Sequence, residues 1–172
     1  MNPNSGAFFS LIKHPFKFRL FLLSKLPSAY FTGVRVKEAD EKRCVTTVPY
    51  KWFSKNPFRS TYFASLAMAA EMSTGTLGLA HMYKRKPSVA MLLVKLEADY
   101  FKKAADKTTF VCDDGELIEK AVEESIATGE ARTVRAKSTG TNIAGEVVAE
   151  FFLTWSFKAR KSQAIAEKRT ES

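Results

Sequence analysis

The stretch YFASLAMAAEMSTG, residues 62–75, reads as a small-residue apolar helix with one carboxylate, Glu71, inside it. From Thr61 to His81 no other side chain is acidic or basic apart from His81 itself, so the segment is built for burial. A carboxylate left alone in such surroundings is costly, and it ends up protonated, paired or used. Burial by itself would raise its pKa, whereas a Lys95 or arginine partner would lower it.

Outward from this helix, TGVRVKEAD and KRCVTTVPY read as two short strands with a charged turn at Asp40, Glu41 and Lys42, the pattern of an antiparallel hairpin. SVAMLLVKLEADYFKKA alternates Ala90, Leu92, Val94, Leu96, Ala98 and Tyr100 with a set that turns charged, which predicts a long strand buried on one face throughout. KTTFVCD adds a strand. DDGELIEKAVEESIATGE predicts a surface helix with Ile118, Val122 and Ile126 as its apolar stripe, started by aspartates and ended by Gly129. Two more strands follow, the last carrying Val147, Ala149, Phe151, Leu153, Trp155 and Phe157 on one face. The order predicts an α+β domain in which an antiparallel sheet wraps one buried helix. Residues 29–160 make that domain, 1–28 a helical extension, and 161–172 a charged tail expected to fray.

In the extension, Phe9, Ile12, Phe16, Leu20, Leu23 and Leu26 gather on one side of a helical projection, with Lys13, Lys17 and Lys25 opposite. Pro15 suits a first helical turn, so the better-formed helix runs from about residue 15 to 26 and ends before Pro27. Lysines and Arg19 interrupt the apolar runs before they reach signal or membrane-spanning length. Such a basic, aromatic helix packs on the domain core or makes peripheral contact with a membrane surface, and Arg19 in its apolar sector needs an explanation.

The 172-residue chain has 45% hydrophobic and 26% charged residues, the balance of one folded globular domain. The net charge of +9 admits nucleic acid, an anionic membrane or a phosphate-bearing small molecule, but no nucleic-acid-binding motif accompanies it. Cys44 and Cys112 lie far apart with no metal-ligand spacing, so no metal site is expected, and two free thiols in a reducing cytoplasm are. His14 and His81 sit in no nucleophile motif and read as structural or solvent-facing.

Element order and helix sequence together resemble the hotdog superfamily, in particular the branch around the phenylacetic-acid-degradation thioesterases, over about residues 30–158. Asn56 matches the family's Asn before the helix, Glu71 its helix-borne acid and Gly75 the closing Gly, while Tyr62 and Ala64 stand where the family has His and Gly. The resemblance implies a hotdog fold and hydrolysis of an acyl thioester, on coenzyme A or a carrier protein, with no cofactor beyond acyl-CoA as substrate. It makes Glu71 and Asn56 the catalytic pair, Glu71 as general base or nucleophile, and the backbone N–H groups at Tyr62, Phe63 and Ala64 the partners of the thioester carbonyl. Thr74 would hold water or substrate. Lys84, Arg85, Lys86, Arg135 and Lys137 would meet coenzyme A phosphates by charge complementarity. A homodimer or homotetramer is implied, with sites at the dimer interface. Tyr62 and Ala64 motivate the alternative of a hotdog protein that binds an acyl ligand or protein partner without turnover. For Asn56, capping the loop before the helix is equally open.

Overall fold

A computed structural model describes residues 2–160, and the tail expected over 161–172 lies outside the described residues. The run around Glu71 forms α4, Phe63–Met82, 20 residues long and therefore about 30 Å from end to end. Ala69, Ala70, Leu77 and Ala80 are fully buried along it. The three alanines let strands approach the helix closely from several sides.

Six strands, all antiparallel, wrap it: β1 Arg35–Ala39, β2 Cys44–Val48, β3 Val89–Tyr100, β4 Thr108–Cys112, β5 Arg132–Thr141 and β6 Val147–Ala159, in the order β1-β2-β4-β5-β6-β3. This is the hotdog arrangement. In β6, Ala149, Phe151, Leu153 and Phe157 are fully buried against the helix side, with Glu150, Phe152, Thr154 and Ser156 on the other face. The β1–β2 turn is closed by Asp40, whose Oδ1 accepts hydrogen bonds from the Lys42 and Arg43 N–H groups. Helix α5, Gly115–Thr128, buries Ile118 and Val122 and ends at Gly129 in the left-handed region, φ +72°. Cys44 and Cys112 are direct register partners across β2 and β4; burial pushes both thiols up to about 12, which leaves them unreactive.

Two expectations are corrected. Strand β3 is not buried on one face throughout: it is a sheet edge, and Leu92 and Val94 are at least half exposed. A bulge between Leu93 and Lys95 reverses the alternation, so Val89, Met91 and Leu93 pack on the core before it, and Leu96 and Ala98 pair opposite the inward Leu153 and Phe151 after it. A period-two reading cannot cross such an insertion. The N-terminal segment forms three helices, α1 Ser5–Lys13, α2 Pro15–Lys25 and α3 Pro27–Thr32. Pro15 and Pro27 each open a new helix, with His14 extended between the first two, so the helical phase restarts and the expected stripe is broken. Phe9, Ile12 and Leu22 are buried and Leu26 lines the cavity beside Glu71, whereas Phe16, Leu20 and Leu23 face outward. Arg19 stacks its guanidinium over the Tyr30 ring at 3.9 Å, which accounts for a cation on the inner side of α2.

Gly115 starts α5 against the β1–β2 turn, where a Cβ would lie 2.2 Å from the Glu41 carbonyl oxygen and 2.5 Å from the Lys42 Cα. Backbone cannot yield as a flexible side chain does. Gly115→Ala is expected to lower unfolding free energy by about 3 kcal/mol, read from urea denaturation. Gly129→Ala, in open space at positive φ, should cost only about 1 kcal/mol.

Candidate active site

Helix α4 starts without a side-chain cap. Tyr62 precedes it in extended conformation, its N–H donating to the Ser54 carbonyl and its carbonyl accepting from Ser65 and Leu66. Among the described residues, the N–H groups of Phe63 and Ala64 have no acceptor. They are the free donors of the first turn, carrying the positive end of the helix dipole. The helix start borders a cavity of about 870 Å³, shared with Asn56, Leu66, Tyr100 and Phe101. Thr61 also lines it; this residue is only 4% exposed, and its hydroxyl has no hydrogen-bond partner.

Asn56 organises the loop. Its Oδ1 accepts from the N–H groups of Phe58 and Ser60, and its amide donates to the Ser60 hydroxyl at 3.0 Å. The side chain therefore shapes the cavity wall by closing an Asx turn. Tyr62 and Phe63 present half-exposed rings in edge contact, 4.7 Å between centroids.

Glu71 lies elsewhere on the same helix. Eight residues separate it from Phe63, about 12 Å along the axis, too far for a glutamate to reach the free N–H groups. Its carboxylate borders a second, mostly apolar cavity of about 450 Å³. One wall is α4 with Met72 and Gly75, another Met91 and Trp155 from the sheet, and the roof is α1 and α2 through Leu11, Phe18 and Leu22. A Cβ on Gly75 would stand 3.0 Å from the Glu71 Oε1, so glycine leaves the carboxylate its room. Among the described residues no cation or hydrogen-bond donor reaches the carboxylate, and burial raises its pKa. Lys95 is turned to the outer face and pairs with Glu97 at 3.0 Å.

Thr74 is engaged in packing: its hydroxyl accepts from the Trp155 indole N–H at 2.9 Å and donates to the Glu71 carbonyl. It thereby fixes a cavity wall. Lys84, Arg85 and Lys86 lie just beyond the C-terminal end of α4, a full helix length from Phe63. The Arg85 guanidinium there pairs with Glu123 of α5. Arg135 and Lys137 lie on the outer face of β5, paired with Glu97 at 3.1 Å and Glu150 at 2.6 Å. None of the five borders either cavity. The basic residues beside the helix start are Lys55, Lys102 and Lys103, of which Lys102 pairs with Glu146. Sequence reasoning missed them because it looked for dense clusters. In the sequence Thr61 reads, like Ser60, Ser73 and Thr74, as a hydroxyl that holds water or substrate or caps the helix, and its isolation emerges only from the packed loop. His81 is buried, one ring nitrogen 3.0 Å from the Glu41 carbonyl, and His14 caps α2 by accepting from the Lys17 N–H.

No protein-family model and no curated protein matches the chain. Solved structures do. A protein of unknown function from Pseudomonas aeruginosa, described as a probable thioesterase, is 18% identical, with a TM-score of 0.72 over 85% of this chain and 97% of its own. A protein of unknown function from Chlorobaculum tepidum is 15% identical, with a TM-score of 0.71 over 84% and 93%. A Haemophilus influenzae thioesterase is 14% identical, with a TM-score of 0.58 over 81% and 88%. The chain has the hotdog fold, a fold it shares with these structures.

A raised carboxylate pKa ties stability to pH. The folded state holds the Glu71 proton more tightly than the unfolded chain, so stability is complete below the ordinary carboxylate range and falls as pH rises through the folded-state pKa. Glu71→Gln removes that loss. It is expected to melt above wild type at pH 8 and together with it at pH 4, measured by calorimetry.

Proposed function

We propose that the protein hydrolyses an acyl thioester, on coenzyme A or an acyl carrier, with Glu71 as its base. The observation that carries this reading is the unpaired, desolvated Glu71 carboxylate at the edge of an apolar cavity, on the central helix of a hotdog fold. A carboxylate held above its ordinary pKa is a stronger base than a solvated one, and it can take a proton from water as that water adds to the thioester carbon. The cavity suits an acyl chain. The free Phe63 and Ala64 N–H groups suit the developing oxyanion, and the thiolate leaves without needing a strong acid. Lys55 and Lys103 line the cavity at the helix start, and their charge supports a contact with phosphate or carrier acidity.

One chain does not bring base and oxyanion donors together, because about 12 Å of rigid helix separates them. We therefore propose a homodimer in which the Glu71 of one protomer works with the helix start of the other. The second reading, an acyl-binding protein without turnover, is favoured by the bulk of Tyr62 and Phe63, which stand half exposed at the helix start.

Thiol release from a panel of acyl-CoAs separates the two readings. Glu71→Gln is expected to lower kcat about 10³-fold. Phe63→Pro removes one N–H at a position where the extended Tyr62 accepts a following proline. It should cost about 10²-fold, whereas Phe63→Ala, which keeps the N–H, should retain most activity. Mixing the two inactive variants should restore part of the rate through mixed dimers. Absence of release for every acyl length, or no effect of Glu71→Gln, would leave the binding protein standing.

A further inference from the structure

Helix α2 is apolar on two opposite faces. Phe18 and Leu22 point inward, Leu22 being 1% exposed. Phe16, Leu20 and Leu23, at spacings of four and three, share the opposite face and are 74%, 57% and 41% exposed. With one face on the core, the second apolar face, flanked by Lys17 and Lys25, is the pattern of a helix that lies at a lipid interface. Beyond it, Phe31 of α3 touches Phe53 at 5.8 Å, and Phe53 touches Trp52 at 4.7 Å, making a second exposed aromatic group with Trp52 at 73% exposure.

The chain segments that carry these groups are basic. Residues 1–37 contain Lys13, Lys17, Arg19, Lys25, Arg35 and Lys37 and no acidic residue. After the acidic turn of Glu38, Asp40 and Glu41, Lys42 and Arg43 are paired with Glu116 and Asp113, whereas Lys51, Lys55 and Arg59 flank Trp52 and Phe53 in a stretch, residues 42–70, without an acidic residue. Lys13, Lys17 and Lys25 are exposed on and beside α2. Among the described residues no helix is long and apolar enough to cross a membrane, so any lipid contact of these helices is interfacial.

We propose that α2, with the Phe31, Phe53 and Trp52 group beside α3, is a docking surface for an anionic lipid bilayer. Phe16, Leu20 and Leu23 enter the headgroup boundary, the indole of Trp52 sits at its level, and the lysines meet the lipid phosphates. A second copy of this chain is the less suited occupant, because two like-charged basic faces would oppose each other across a two-fold axis.

The experiment is cosedimentation of the full chain with phosphatidylglycerol–phosphatidylcholine vesicles and with phosphatidylcholine vesicles, across a salt series. Binding to the anionic vesicles at low salt, weakening as salt rises, is expected. Replacing Lys13, Lys17 and Lys25 together by Gln should weaken partitioning about 100-fold, with unchanged melting because all three are solvent-exposed. In a Trp155→Phe background, brominated lipid should quench Trp52. Absence of anionic binding, insensitivity to the lysine replacements, or unquenched Trp52 in bound protein would overturn the proposal. So would dissociation of an oligomer by Phe16→Ser and Leu20→Ser with vesicle binding unaltered, which would mark the face as an interface between copies.

Discussion

The desolvation of α4 is the constraint from which the rest follows. A helix surrounded by its own sheet must be made of side chains that need no water, and fully buried Ala69, Ala70, Leu77 and Ala80 meet that need while keeping the strands close. One carboxylate on such a helix has to face whatever the sheet does not cover. Glu71 faces α1 and α2, so those helices complete its environment. Removing them would hydrate the carboxylate and take away the physical cause of its raised pKa. The N-terminal segment sets the surroundings of Glu71 as well as adding to the fold.

Much of the fold is legible in the sequence wherever one periodicity runs unbroken. The burial of α4 follows from its lack of charge, and the inward face of β6 from six apolar residues at spacing two, of which only Val147 at the strand's end is substantially exposed. Legibility fails where the period is interrupted or ambiguous. The bulge after Leu93 reverses β3, and α2 offers two apolar faces to a projection that expects one. The more regular stripe, Phe16, Leu20 and Leu23, is the outward one, because packing against α4 and β1 selects Phe18 and Leu22 instead. Regular spacing identifies a face without saying what covers it.

Glu71 was legible for a physical reason, since a charge in a desolvated run stands out whatever the fold. Its surroundings were not, because Leu11, Phe18 and Leu22 reach it from about 50 residues away in the chain. The basic residues show the opposite error. Arg85, Arg135 and Lys137 look available in a sequence, but their charges are taken by Glu123, Glu97 and Glu150. Charge clusters in a chain count residues, whereas a phosphate meets only the cations that neighbouring carboxylates leave over.

The geometry of α4 also bears on assembly. Glu71 and the free N–H groups of Phe63 and Ala64, on one rigid helix, keep their separation through any side-chain rearrangement, because a glutamate side chain spans less than half of the roughly 12 Å between them. Strand β3, meanwhile, ends the sheet with 12 residues and exposes Leu92 and Val94 along an edge that no strand among the described residues covers. Its outer charges, Lys95, Glu97 and Asp99, protect only the half beyond the bulge. A long edge left apolar over its first half is a liability for a monomer. Antiparallel pairing with the same edge of a second copy would satisfy it, and a two-fold axis there would run the two central helices in opposite directions, the relation that the proposed shared site requires.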